Sequence, residues 1–483
     1  MAKHKKRGKH KTKNAGRSQP LASASMKRTT WVLVGAAIIC AAVFVFLYLS
    51  SILPTQEEPK TIEPASNSME LSAPRPVNSI LTPKQEVAAL KKEAINAAIQ
   101  LTQDFPKDAE AFFMSGFVYR NQGNSEKAVM CWERCVELDS NHTKAYHGMG
   151  EVALDKGEYE KAVELWQRVL EIDPKLPGVY NSLASALMCM GKAEEAVKAF
   201  QKDIEISGQS VHSQFMLGKQ YQLLKEYEKA GKCYETVIKM APGYTQAYHG
   251  LATVCAMLGE KEKSKGFMET FRNLKDEEMK VLKEQDSASD DLASVRQTVA
   301  QAHTDVGQLY YLRRSSAKAE KQLQRAVTLD AEQPGCRILL ASLYQQDGRV
   351  TQALQLHEQL AMIEPHNTVH HSNVGILSLQ LQRNDDAEKA FRKVIELDPK
   401  QSFGYHYLAY LYLQMNRKLP EAGKLAEKAV ALEKNGENFF ILSWACNVNG
   451  DRASAISAIQ QAIKLEPGNI EYRQMYEQLK RGN

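Results

Sequence analysis

The chain has 483 residues, of which 43% are hydrophobic, 25% charged and 8% aromatic, a balance that excludes wholesale disorder and a collagen-like fibre. Its formal net charge of +5 is unevenly held: residues 1–28 contain ten of the 62 Lys and Arg and no acid, leaving 52 basic against 57 acidic residues elsewhere. That mildly acidic remainder excludes the basic stripe from which nucleic-acid binders draw most of their affinity.

Behind the basic tail, Trp31 to Leu49 read WVLVGAAIICAAVFVFLYL inside an uncharged run from Thr29 to Gln56. Nineteen residues at about 1.5 Å each give about 28 Å, close to the hydrocarbon thickness of a bilayer. Trp31 and Tyr48 stand near its ends, where amphipathic rings favour the interface. It is the single stretch long and apolar enough to span, which excludes a polytopic membrane protein. The following SSILPTQEEP lacks a small-x-small cleavage site, so the segment reads as an uncleaved anchor rather than a signal peptide. Basic residues precede the span and only Lys60 falls in the twenty residues after Ser50. The positive-inside bias predicts a cytoplasmic N-terminus and a translocated C-terminal bulk, periplasmic in a bacterium with two membranes.

From Pro54 to Pro83 come six of the sixteen prolines among Ser, Thr and Glu. Fixed φ and missing donors predict an extended polar spacer.

From residue 84 onward the chain repeats itself. Aligned on one alanine per segment, Ala128, Ala162, Ala196, Ala230 and Ser264 are 34 residues apart, and the series resumes at Ala319, Ala353, Ala387, Ala422 and Ala455. Twelve residues earlier lies a small residue, as at Gly116, Gly150, Ala184, Gly218 and Gly375. Four later lies a bulky one (Trp132, Trp166, Phe200, Tyr234, Phe391), and twelve later proline in five cases, Pro174 among them. These positions fit a helical hairpin. Small residue and alanine let the two helices approach, the ring fills space toward the next hairpin, and proline ends the second helix. Glycines such as Gly123, Gly157 and Gly348 fall between the helices, where left-handed backbone is cheap for glycine alone.

This pattern resembles the tetratricopeptide repeat family, and YHGMGEVALDKGEYEKAVELWQRVLEIDP (146–174) follows its motif throughout. The resemblance implies an all-α, right-handed superhelical solenoid of about ten repeats, beginning near residues 109, 143, 177, 211, 245, 300, 334, 368, 402 and 436. The predicted organisation is a basic cytoplasmic tail (1–28), a transmembrane signal-anchor helix (29–53) and a proline-rich linker (54–83). A leading helix with repeats one to five (84–274) follows, then a charged insert (275–295), then repeats six to ten with a polar C-terminal capping helix (296–483). Ten of the seventeen residues 275–291 are charged, which fits a solvated linker or helix extension, or a joint between two stacks. Repeat five departs with Ser264 and Met268, repeat six shows Arg313-Arg314 instead of a glycine turn, and repeat nine has an extra residue near Leu419-Pro420.

Signals for chemistry are few. Seven cysteines lie in the repeats without a C-x-x-C pair; Cys131 and Cys135 share a helix face but read as packing residues. His370-His371 stand outside any H-E-x-x-H, and the nucleotide-binding and nucleophile-elbow patterns do not occur. No catalytic residue, metal or cofactor is expected.

What remains is a groove. By resemblance, positions 2, 5, 9 and 12 of each repeat line the concave surface. Early repeats place Glu110, Phe113, Phe117 and Arg120 there, then Lys144, His147, Glu151 and Leu154. Late repeats place Ile376, Leu379, Phe403, His406, Tyr410, Leu413, Phe440 and Trp444. Aromatic anchors on a concave surface suit peptide capture; the same residues could instead pack against the capping helix. The family's carboxylate clamp needs Lys and Asn at positions 5 and 9 of one repeat, a pair this sequence does not contain. The expectation is a membrane-tethered, non-catalytic scaffold for protein or peptide clients of a bacterial envelope assembly. Rival readings are a recruiting arm for a protein O-N-acetylglucosaminyl transferase and an organelle import receptor with cytosolic repeats.

Overall fold

A computed structural model describes residues 82–481 apart from 209 and 286–290; the expected basic tail, membrane span and most of the spacer lie outside these residues. Among the described residues there are 22 helices and no strand, and no helix is long and apolar enough to cross a membrane.

The first helix, α1 (Pro83–Asp104), begins at the last proline of the spacer. Pro83 occupies the first turn, where a missing N–H costs nothing, and Thr82 closes a capping box with Gln85. Five hairpins follow: α2 (Ala109–Asn121) with α3 (Ser125–Leu138), α4 (Thr143–Asp155) with α5 (Tyr159–Ile172), α6 (Val179–Cys189) with α7 (Ala193–Ser207), α8 (Val211–Leu223) with α9 (Tyr227–Met240), and α10 (Thr245–Met257) with α11 (Lys261–Gln285). Five more pair α12 (Asp291–Leu312) with α13 (Ser316–Leu329), α14 (Pro334–Gln346) with α15 (Val350–Ile363), α16 (Thr368–Gln380) with α17 (Asn384–Leu397), α18 (Ser402–Gln414) with α19 (Leu419–Leu432), and α20 (Gly436–Val448) with α21 (Arg452–Leu465). The closing helix is α22 (Ile470–Arg481), opened by Asn469, whose side chain accepts from the Glu471 N–H.

Packing explains the repeated residues. The aligned alanines from Ala128 to Ala455 are fully buried between paired helices. The ring four residues on is held between two small residues: a Cβ built at Gly218 would come within 2.8 Å of the Tyr234 ring, and one at Gly250 of the next hairpin within 2.7 Å. Trp132 is clasped in the same way by Gly116 and Gly148. Glycine at these sites therefore buys ring burial, worth about 1.5–3 kcal/mol per large side chain. Ser264, which stands in for alanine in repeat five, donates its hydroxyl to the Ala252 carbonyl at 2.8 Å.

The charged insert is not a separate segment. Residues 275–285 continue α11, which is 25 residues long against 14 for α9, and residues 291–295 already belong to α12. Nor does the second array continue the first in series. Instead of stacking on α11, α12 packs against α1 and reaches α2. One apolar cluster accordingly joins Leu90, Ala94, Ala98 and Leu101 to Val299, Val306, Leu309 and Leu323.

Candidate functional site

In the second array α16, α18 and α20 present the expected late-repeat residues. Ile376 and Leu379 are half-buried against the cluster that contains Phe391, Leu408 and Ile441. Phe403 lies 4.5 Å from Tyr407, centroid to centroid, and Tyr407 in turn stacks on the buried Phe391 at 5.5 Å. Tyr410 meets Trp444 edge-on at 6.0 Å, so a ring of α18 and a ring of α20 share one ridge.

His406 sits between these rings with its Nδ1 2.9 Å from Asn438 Oδ1. The Asn438 amide nitrogen donates to the Glu433 carbonyl at 2.8 Å, which leaves Oδ1 as acceptor and puts the imidazole proton on Nδ1. Burial pushes the His406 pKa down to about 4, so at neutral pH the ring is uncharged.

Two expected groove residues lie elsewhere. Leu413 is only 4% exposed and belongs to the core beside Leu408 and Tyr412 rather than to a binding face. An aliphatic chain with no polar tip goes to the adjoining apolar cluster. Phe440 stacks at 5.4 Å on Tyr472 of α22, so for this residue packing against the capping helix is the observed arrangement.

The early-repeat residues are placed differently. Phe113 packs 4.8 Å from the His142 ring and lies under Lys144, while Phe117 is 40% exposed. Arg120 is bound by Glu151 of α4 and lies 3.6 Å from Asp155. His142 Nε2 approaches Glu110 at 3.1 Å, and that hydrogen bond is the main reason the Glu110 carboxyl sits below its ordinary range.

A cavity of about 390 Å³ opens where α8, α10 and α11 meet, lined by Phe215, Lys219, Gln222, Tyr234, Gln246, His249, Thr253 and Phe271. Phe271 closes it, 5.1 Å from the His249 ring. These residues were absent from the expected groove although the positional rule reaches them: Phe215, Lys219 and Gln222 hold positions 5, 9 and 12 of repeat four, and Gln246, His249 and Thr253 hold 2, 5 and 9 of repeat five. The same rule reaches Ile338 and Val369, which are 42% and 52% exposed.

The cysteines behave as packing groups. All seven in the described residues are free, and burial raises the thiols of Cys131 and Cys233 to about 11 and of Cys135 to about 12.

Family models agree with the hairpin register. The one described as tetratricopeptide repeat matches residues 109–142, 211–244 and 372–401, with related repeat models at 150–191, 336–366 and 390–424. No curated protein matches the chain. Among solved structures, MamA is 21% identical, covering 34% of this chain and 96% of its own at a TM-score of 0.33. YrrB, described as a TPR protein with an unusual peptide-binding site, is 18% identical over 39% of this chain and 97% of its own, TM-score 0.35. Yeast Tom70 is 16% identical over 77% and 95%, TM-score 0.31. With 34-residue hairpins, a buried alanine in each and glycine-clasped rings, the chain belongs to the tetratricopeptide repeat family of helical interaction scaffolds.

Proposed function

We propose that this chain is a membrane-tethered scaffold that holds client proteins by an uncharged, apolar segment laid along the second array, and that it acts by holding rather than by transforming them. One observation carries the reading. Across repeats six to ten, positions 2, 5, 9 and 12 carry a single ionisable charge, Glu437, while Ile376, Phe403, Tyr410 and Trp444 supply apolar and aromatic surface with the neutral His406 among them. A charged peptide would lose hydration there and gain no partner; an aliphatic or aromatic one would bury area on rigid rings.

The span Trp31–Leu49 is the proposed tether, with the basic tail cytoplasmic and the repeats across the membrane, periplasmic in a bacterial envelope. Tethering raises the effective concentration of clients near the bilayer without any new contact. Clients of an envelope assembly fit this placement. Protease treatment of intact cells checks it: repeats shielded only until the outer membrane is opened support the orientation, and repeats digested only after inner-membrane lysis refute it.

Crosslinking and pull-down of the full-length protein from membranes tests the binding face. Phe403→Ala with Trp444→Ala should lose the principal partners while circular dichroism still reports the helical array. Retention of every partner by that folded double variant sinks the reading.

A further inference from the structure

We propose that α1 is the second helix of an incomplete hairpin, that α12 arrives from far downstream to complete it, and that this shared helix clamps the two arrays together without help from the covalent link between them.

Register is the first support. Ala94 lies 34 residues before Ala128 and twelve before Pro106, the spacing of alanine and proline in the second helices of the complete repeats. Ala94 and Ala98 are both fully buried, as a second helix requires. No first helix stands before α1 in the repeat pattern, because residues 54–83 form the proline-rich stretch. A second helix with no partner would leave its alanine face to water, and α12 covers it.

The other end of the first array explains why α12 goes there. Eight residues after the aligned alanine, second helices carry a small or aliphatic side chain that meets the next hairpin, such as Val136, Ile238 and Ile395; α11 carries Arg272 instead. Arg272 is exposed, and so is Lys265 one position past Ser264, with 75% of its side chain in solvent. Stacking α12 on α11 would bury the Arg272 charge unpaired, a cost of several kcal/mol. The outer face of α11 is thus a polar end, as the terminal repeat of a solenoid needs.

Charge sets the register of the clamp. Four acids on α1 and the start of α2 meet four bases of the α12–α13 hairpin, across sequence separations of 205 to 232 residues. Arg325 grips Glu93 through both oxygens at 2.7 and 2.8 Å. Lys318 reaches Asp104 at 2.6 Å, where the Tyr310 hydroxyl also donates at 2.5 Å. Arg313 pairs with Asp108, and Arg296 with Glu86, each at 2.6 Å. Every acid lies on one side of the seam and every base on the other, the signature of two surfaces that recognise each other.

The test uses the full-length chain in detergent, with a protease site inserted between residues 285 and 291. After cutting, the two fragments should co-elute from a sizing column at the mass of the uncut monomer. Arg325→Glu should weaken their association about tenfold or more, since it sets two like charges across the seam, and Glu93→Arg with Arg325→Glu should restore most of it. Circular dichroism of each fragment separates loss of docking from loss of folding. Cut wild type that elutes as two separate helical fragments overturns the proposal. So does a cut Arg325→Glu chain that holds as tightly as wild type, or an uncut chain that exchanges α1 between copies and elutes as a dimer.

Discussion

The two arrays are built on one repeat and finished on different surfaces. Both bury an alanine between paired helices, and both clasp rings over glycine, Trp132 over Gly116 in one and Phe391 against Gly375 in the other. At the positions assigned to the concave side they diverge: repeats one to five place Glu110, Arg120, Lys144, Glu151 and Lys219 there, whereas repeats six to ten place Glu437 alone. Much of the first array's charge is already engaged within it, Arg120 by Glu151 and Glu110 by His142. The fold fixes what lies between helices and leaves the concave positions free, so the chain can carry a polar, self-paired face and a neutral, aromatic one on the same scaffold.

Cutting a ring from either core is the strongest way to break this comparison. Trp166→Ala in α5 and Phe391→Ala in α17 each remove a fully buried ring, with an expected loss of about 3–5 kcal/mol. In a solenoid each hairpin contacts mainly its neighbours, so the loss should stay local. Hydrogen exchange followed by mass spectrometry should show faster exchange in α4–α6 for Trp166→Ala and in α16–α18 for Phe391→Ala. Equal loss of protection in both arrays from either variant would show that cooperativity crosses α1 undiminished.

Acid should separate the arrays next. His357 of α15 is 5% exposed, its Nδ1 has no hydrogen-bond partner, and its ring lies 6.2 Å from that of His370, itself bound to Glu364 at 2.7 Å. Burial first, and His370 second, push the His357 pKa down to about 4. Between about 4 and the ordinary value near 6.5 the unfolded chain binds a proton that the native chain refuses. Stability from this group is therefore whole above the ordinary value and is lost as pH falls toward 4, by about 3 kcal/mol in all. His406 has the same direction. Urea unfolding at pH 7 and pH 4.5, followed by hydrogen exchange, should find α14–α16 loosened first in acid. His357→Leu should flatten that dependence, and an unchanged slope would exclude His357 as its source.

How much of this was legible beforehand follows from which residues carry it. The hairpins and their boundaries were readable because alanine, ring and glycine recur at a fixed period, and that period reports burial directly. The break in the series at 55 residues after Ser264 was visible too, but its meaning was hidden: a repeat register says which helix pairs with its neighbour, not which distant helix fills an unpartnered face. Arg272 was the available signal, a charge where aliphatic residues otherwise stand. The groove was the least legible. Position alone placed Leu413 and Phe440 on the concave face, yet the core took one and α22 the other. Whether a half-apolar position faces solvent depends on its spatial neighbours, which one repeat's sequence does not contain.

The turns offer the smallest effect and the cleanest sign. Five residues before the aligned alanine, the first array has glycine in four hairpins of five, with Lys225 at φ 63° as the exception. The second keeps glycine at Gly348 and Gly450 but holds Arg314 and Gln382 at φ 57°, and in repeat nine, one residue longer, Asn416 takes φ 49°. A side chain in this left-handed region costs about 1–2 kcal/mol, and glycine returns about 0.5–1 of that as entropy of the unfolded chain. Gln382 is exposed, so replacing it removes the strain without opening a core. Gln382→Gly should therefore gain about 0.5–1 kcal/mol in urea unfolding, and Gly157→Gln in the first array should lose a similar amount, because Gly157 holds φ 78°. Opposite signs from reciprocal changes would identify backbone conformation as the cause. A loss from Gln382→Gly would mean instead that the side chain contributes more to the native state than the strain removes.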